Sequence, residues 1–169
     1  MYLISIYFDS TTNKLFNNYI ESVANATTNT FMLDNNVPPH ITIAGFRTKD
    51  ETLAVNAYKS IIDKFYEGEI DWVTVGMFGQ SVVYAAPVLN EYLHNLSVYA
   101  YETLSKIDGV ELDNRYTPFN WLPHVTIAKT LTKEQQLTAI SILQERFAVS
   151  RGNVVKLGLA RTNPFENLL

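Results

Sequence analysis

The spacing of hydrophobic and polar residues along the chain predicts short strands that alternate with amphipathic helices. Residues 2–8 alternate in polarity and are rich in Ile, Tyr and Phe, which is typical of a strand. After Asp9 and three hydroxyl residues, which are all candidate N-caps, apolar residues recur at helical spacing. Residues 25–39 are mostly polar and end in Asn-Asn-Val-Pro-Pro, so we expect a loop there.

The rest of the chain predicts three more helices, a hairpin and a final strand. Gly79-Gln80 lies between two alternating segments and indicates the turn of the hairpin. The predicted elements in chain order are a helix from Lys49 or Asp50 to Phe65 with a stop at Gly68, strands over 70–78 and 81–88, a helix over 89–107, an irregular aromatic segment over 113–123, a helix over 133–147, and a strand over 154–160 closed by Asn163-Pro164. This order of elements is typical of two similar lobes.

One six-residue sequence occurs twice with a single conservative change. Residues 39–44, PHITIA, recur as residues 123–128, PHVTIA. Both copies are short and rich in β-branched residues, so each predicts a buried strand. Side chains two apart on a strand point the same way, so each copy sets an imidazole beside a hydroxyl and buries Ile or Val on the other face. The paired side chains are His40 with Thr42 and His124 with Thr126.

These four side chains match what phosphodiester chemistry requires. The reaction needs a base for the attacking oxygen and an acid for the leaving oxygen, and histidine can fill either role near neutral pH. The hydroxyls of Thr42 and Thr126 can donate to the non-bridging phosphate oxygens. A lone histidine on an apolar strand is more often a packed core residue, but the repetition favours catalysis. The two histidines could instead hold a metal with a carboxylate, although threonine is a poor ligand.

The two copies resemble the paired His-apolar-Thr/Ser-apolar signatures of the two-histidine phosphoesterase superfamily. That superfamily includes the 2′-5′ RNA ligase-like proteins and the cyclic nucleotide phosphodiesterases. The resemblance implies an α+β fold in which two antiparallel β-sheets, related by pseudo-twofold symmetry, surround a central cleft with helices packed outside. We expect residues 1–169 to form one such bilobed domain.

The resemblance also implies a metal-independent reaction without a cofactor. His40 and His124 would be catalytic, and Thr42 and Thr126 would bind the phosphate. The leading hypothesis is hydrolysis of 2′,3′-cyclic phosphates on nucleotides or RNA ends. The alternatives are a 2′-5′ RNA ligase, a 2′,5′-oligonucleotide phosphodiesterase, and a non-catalytic module that binds nucleotides or RNA ends. Lys129 departs from the RNA-ligase-like branch, whose members often carry Arg there.

Several aromatic residues and one cation near the repeats are candidates for holding the rest of the substrate. A nucleobase that stacks on an aromatic ring gains about 1–3 kcal/mol in single-strand binders. Most aromatic side chains nevertheless belong to the core of a protein, so each candidate is weaker than the repeat. The candidates are Phe119, Trp121, Tyr84, Tyr7, Phe46 and Lys129.

Composition narrows the range of partners. The formal net charge is −4, so a small nucleotide or an RNA terminus with few phosphates is a better candidate substrate than long RNA. The 169 residues include no cysteine, and no apolar run reaches the roughly 20 residues that a membrane helix needs. With no basic leader at the start of the chain, we expect a cytoplasmic monomer without membrane contact.

Overall fold

The computed structural model describes residues 1–162 and 164–169, so Asn163 of the predicted closing turn lies outside the described residues. The strands are β1 (Tyr2–Phe8), β2 (Ile41–Arg47), β3 (Gly68–Phe78), β4 (Val82–Pro87), β5 (Glu111–Leu112), β6 (Val125–Ala128), β7 (Ser150–Arg161) and β8 (Glu166–Asn167). The helices are α1 (Ser10–Thr27), α2 (Phe31–Asp34), α3 (Glu51–Ile62), α4 (Glu91–Leu104) and α5 (Lys133–Arg146), and a 3-10 turn covers Asn114–Tyr116. None of these helices is long and apolar enough to cross a membrane.

The strands are hydrogen-bonded in the order β5-β2-β1-β7-β3-β4-β6, with β8 also on β7, and every pair is antiparallel. The α+β class with antiparallel strands is therefore confirmed. The two expected sheets are joined into one continuous sheet, of which they form the two arms. The long strand β7 belongs to both arms. Its later residues pair with β1 and its first residues pair with β3, and Val154 lies opposite both Phe8 and Gly68. The pseudo-twofold relation between the arms stays a prediction.

The helices begin where the sequence supplies N-caps. The carboxylate of Asp9 accepts a hydrogen bond from the backbone N–H of Thr12 at 2.8 Å and starts α1. Asp50 caps α3 in the same way. Thr132 and Gln135 form a reciprocal capping box at the start of α5. The candidate cap at Asp9 and the predicted start of a helix near Asp50 are confirmed, and these local contacts set where each helix leaves the sheet.

Several predicted segments differ from the structure, among them α3, which ends at Ile62 and not at Phe65, while Gly68 begins β3. Residues 25–39 are not a plain loop, because α1 continues to Thr27 and α2 follows after a short break. Met32 of α2 is buried, which gives this four-residue helix an anchor in the core. The predicted helix over 89–107 is shorter at both ends, since Asn90 caps it and the chain turns after Leu104. The last strand is longer than predicted because it spans both arms of the sheet.

A mixed aromatic and aliphatic core lies between the sheet and the helices. Trp72 of β3 is fully buried and packs edge-on against Phe8 and Phe16, with ring centroids 5.4 and 4.5 Å away. Burial of such rings is a major source of stability in a domain of this size. The core thus fixes β1, β3 and α1 to one another. β2 and β6 lie in opposite arms of this supported sheet.

Candidate active site

Both copies of the repeated sequence contribute side chains to one cavity of about 260 Å³. His40 and His124 directly precede β2 and β6, and Thr42 and Thr126 lie near the start of those strands. The strand order separates β2 from β6, so the curvature of the sheet brings the two copies together. The other described residues that line the cavity are Leu3, Phe31, Met32, Asn35, Val37, Tyr116, Lys129, Thr162, Pro164 and Phe165.

The side chains of each repeat alternate between the core and the cavity, as the sequence predicts. Ile41 and Ile43 of β2 are 0% and 1% exposed, and Val125 and Ile127 of β6 are both fully buried. Burial of the branched aliphatic residues in the core fixes the register of each strand, because a one-residue slip would exchange its two faces. The intervening histidine and threonine side chains are therefore held toward the cavity. The predicted burial of Ile and Val is confirmed.

The two imidazoles make the same backbone contact. Nδ1 of His40 lies 2.7 Å from the carbonyl oxygen of Pro38, and Nδ1 of His124 lies 2.9 Å from that of Leu122. A carbonyl oxygen only accepts hydrogen bonds, so Nδ1 carries the proton and donates in both rings. Each neutral ring then keeps its lone pair on Nε2. Both histidines are set up to accept or donate a proton through Nε2.

The environment of the histidines favours their neutral forms. Burial lowers the pKa of His40 below its ordinary value, and the nearby charge of His124 lowers it further. Burial also lowers the pKa of His124. The carbonyl oxygens that accept from Nδ1 oppose these shifts in part. Both rings are therefore mostly neutral at pH 7, and an anion between them would favour protonation of either one.

Aromatic rings pack around both histidines. The ring of His40 lies 6.0 Å from that of Tyr7 and 6.1 Å from that of Phe165, measured between centroids. The ring of His124 has Phe78 at 4.7 Å and Tyr84 at 5.4 Å, both edge-on. These neighbours limit rotation of the imidazoles and exclude water from one side of each.

The two threonines differ in their surroundings. Thr42 is buried, and its hydroxyl lies 3.4 Å from that of Ser5. Thr126 is half-buried and lies opposite Tyr84 in the pairing of β6 with β4. The hydroxyl of Thr42 thus has a hydrogen-bonding neighbour in Ser5 of β1.

Among the predicted substrate-binding residues, Lys129 is the one that lines the cavity as described. Its Nζ lies 4.8 Å from the centre of the Phe31 ring, within the range of a cation–π contact. The described lining residues include the cationic side chain of Lys129 and no carboxylate. The described part of the chain also has no cluster of three His, Cys, Asp or Glu side chains arranged to hold a metal.

None of the predicted aromatic residues belongs to the described lining of the cavity. Phe46 is fully buried and stacks on Tyr2 in the core. Trp121 is buried, and its indole N–H donates to the carbonyl oxygen of Thr42 at 3.0 Å. Phe119 is 87% exposed, with its ring 4.7 Å from that of His94. Tyr7 and Tyr84 pack against the catalytic candidates His40 and His124, as described above.

The sequence analysis missed three aromatic residues that line the cavity. Phe31 belongs to α2, which the sequence pattern presents as part of a polar loop. Phe165 follows β7 and is half-buried beside His40, a tertiary contact that has no local sequence signal. Tyr116 lies in the irregular aromatic segment that was singled out, although Phe119 and Trp121 were preferred there. The cluster of aromatic residues in this polar segment therefore indicates that the segment contributes to the cavity, and Tyr116 is the residue that does so.

Comparison with known proteins agrees with this geometry. The family model described as the 2′-5′ RNA ligase superfamily matches residues 16–164, which include both repeats and most of the sheet. No curated protein matches the chain.

Proposed function

Because the chain belongs to the 2′-5′ RNA ligase superfamily, a group of phosphoesterases and ligases that act on RNA and nucleotides, we propose that it opens 2′,3′-cyclic phosphates without a metal. The observation that carries the proposal is the matched pair of imidazoles. Each donates through Nδ1 to a backbone carbonyl and keeps Nε2 for proton transfer in the same cavity. A module that only binds would not require two such groups.

The proposed reaction is an in-line displacement at phosphorus. One histidine takes a proton from water through Nε2 as the water oxygen bonds to phosphorus. The bond from phosphorus to one ribose oxygen breaks, and the other histidine, which enters protonated, gives its proton to that oxygen. The hydroxyls of Thr42 and Thr126 donate to the non-bridging oxygens, and the charge of Lys129 favours the anionic phosphate. The product is a ribose phosphomonoester, and the two histidines have exchanged protonation states.

Hydrolysis of a cyclic mononucleotide in excess chelator tests this proposal. The wild type should convert adenosine 2′,3′-cyclic phosphate to a monophosphate. His40→Ala and His124→Ala should each lose about 10²–10⁴-fold in kcat, the usual effect of removing a proton-transfer group. His94→Ala is the matched control, because that histidine is on α4 and does not line the cavity. Activity that survives both substitutions would contradict the two-histidine mechanism.

Binding and product analysis separate the alternatives. A catalyst should lose far more in rate than in affinity for the product when either histidine is replaced, whereas a binding module should show comparable losses in affinity and no turnover. A 2′-5′ RNA ligase would join a cyclic phosphate end to a 5′-hydroxyl end, because that hydroxyl replaces water as the attacking group. A 2′,5′-oligonucleotide phosphodiesterase would cleave 2′-5′ linkages and leave the cyclic phosphate intact.

A further inference from the structure

A second compartment adjoins the catalytic cavity on the far side of His124. This groove has a volume of about 470 Å³ and shares Tyr116 and His124 with the catalytic cavity. Its remaining lining comes from the β3–β4 hairpin and from the irregular segment before β6. Those residues are Phe78, Arg115, Asn120, Trp121 and Leu122.

The sizes of the two compartments suggest different occupants. Pockets that enclose a drug-sized ligand usually measure about 300–1,000 Å³, so the catalytic cavity of about 260 Å³ has room for one nucleoside at most. A longer RNA end must leave that cavity. The groove beyond His124 is the adjoining space, and its volume is the larger of the two.

The floor of the groove offers a flat aromatic surface. Phe78 stacks on Tyr84, with ring centroids 4.2 Å apart and an angle of 24° between the rings. The Phe78 ring is nevertheless 36% exposed, and the neighbouring Leu122 side chain is 45% exposed. A ring that is supported on one face and open on another is a suitable platform for a nucleobase. Asn120 lies beside this platform in the groove lining.

The rim of the groove carries a guanidinium that is ion-paired with Asp113 and held in one orientation. Nε of Arg115 donates to Oδ1 of Asp113 at 3.0 Å, and Nη2 donates to Oδ2 at 2.6 Å. The Arg115 side chain is 70% exposed whereas that of Asp113 is 10% exposed, so the guanidinium is the part of this pair that meets solvent. A guanidinium held in one orientation is well suited to contact a phosphate.

We propose that the groove binds the nucleotide preceding the cyclic phosphate, with its base on Phe78 and its phosphate near Arg115. This inference rests on the proposed function and makes it more specific. The preferred substrate is then the 3′ end of an oligonucleotide of at least two nucleotides, and a cyclic mononucleotide is a minimal substrate. The terminal nucleoside occupies the catalytic cavity, and the chain continues past His124.

The test compares a cyclic mononucleotide with the matching dinucleotide, adenylyl-(3′-5′)-adenosine 2′,3′-cyclic phosphate. The wild type should show a kcat/KM for the dinucleotide that is about 5- to 150-fold higher, the range that one stacked base provides. Affinities for the 3′-phosphorylated mono- and dinucleotide products are measured in parallel. The proposed function fails if neither substrate is opened, and the ratio of the two affinities still tests the groove in that case.

Substitutions in the groove assign the preference to it. Two ratios are compared, the dinucleotide-to-mononucleotide ratio of kcat/KM and the same ratio of product affinities. Phe78→Leu and Arg115→Gln should each bring both ratios closer to one by a factor of at least about three. Tyr101→Leu is the matched control, because Tyr101 has a similar exposure of 37% on α4 and lines neither compartment. A wild-type ratio near one would overturn the inference while leaving the proposed function intact. A high ratio that neither substitution changes would also overturn it.

Discussion

At each candidate histidine, a proline separates the imidazole from the carbonyl oxygen that it contacts. Pro39 stands between Pro38 and His40, and Pro123 stands between Leu122 and His124. Proline fixes its own φ near −65° and restricts the residue before it. The carbonyl and the ring are therefore held in the same relation in both copies. The proline of the repeat has a physical role, because it fixes which ring nitrogen faces the substrate.

The lowered pKa values predict an acidic optimum for the free enzyme. The proposed mechanism needs one neutral and one protonated histidine, so kcat/KM should follow a bell whose maximum lies midway between the two pKa values. Burial lowers the pKa of both His40 and His124 below the ordinary value of about 6.5. The maximum of kcat/KM for a cyclic mononucleotide should therefore lie below pH 6.5. Steady-state kinetics between pH 4 and 9 would measure it.

The pH profile of kcat should differ from that of kcat/KM in a defined direction. A bound phosphate anion favours the imidazolium form and raises both histidine pKa values in the complex. The maximum of kcat should therefore lie at higher pH than that of kcat/KM. His94→Ala should leave both profiles unchanged, because His94 does not line the cavity. A kcat/KM maximum at or above pH 7 would show that the described burial does not govern these groups.

At the scale of elements, the sequence predicted those segments whose periodicity is strong and continuous. The first strand and the start of α1 agree with the structure at the residue level, because alternation and the Asp9 cap both mark that boundary. Four-residue α2 has too few turns for a helical period. Phe31 of α2 was missed for this reason, and Phe165 was missed because tertiary packing, and not a local pattern, brings it to His40.

The irregular segment before β6 is attached to β2 by a buried hydrogen bond from Trp121, in addition to the backbone bond from Asp113 to Gly45, which gives a further prediction. Trp121→Phe removes the indole N–H that donates to the carbonyl oxygen of Thr42. Loss of this donor should lower the free energy of unfolding by about 1–3 kcal/mol and reduce kcat/KM, because the same segment carries Tyr116. Urea unfolding would measure the first effect. Phe119→Leu, at an 87% exposed position of the same segment, should change stability by less than about 0.5 kcal/mol.

A Trp121→Phe protein as stable as the wild type would contradict the anchoring role of this hydrogen bond. In that case the segment would be held by its other contacts, such as the packing of the Tyr116 ring near Gly45 of β2. A stability loss without any change in kcat/KM would confine the role of Trp121 to folding.

At the scale of the whole molecule, β7 connects the two arms of the sheet and therefore the two copies of the repeat. One arm contains β1 and β2, and His40 directly precedes β2. The other arm contains β3, β4 and β6, and His124 directly precedes β6. The sequence showed the two copies but not how they meet, because the joining strand pairs with partners that are far away along the chain. Any distortion of β7 near the cavity should thus affect stability and catalysis together.

Gly158 of β7 is a position at which this coupling can be tested. A Cβ atom there would lie 2.7 Å from the Tyr7 ring and 2.8 Å from the backbone oxygen of Leu169. Gly158→Ala should therefore displace the ring that packs against His40. Overpacking of this kind usually costs about 1–3 kcal/mol of unfolding free energy. We also expect kcat/KM to fall about tenfold or more, since displacements of about 1 Å can cost about 10²-fold in rate.

Lys156→Ala provides the control for Gly158→Ala, because Lys156 lies opposite Tyr7 across the strand pair but is exposed, so its truncation does not push on the Tyr7 ring. It should change stability by less than about 0.5 kcal/mol and leave kcat/KM near that of the wild type. Thermal or urea unfolding and mononucleotide kinetics on both variants make the comparison. If Gly158→Ala were as stable and as active as Lys156→Ala, then the Tyr7 ring would move without cost, and its contact with His40 would not position the imidazole. A loss in both measurements would instead tie the geometry of the joining strand to the protonation and placement of His40.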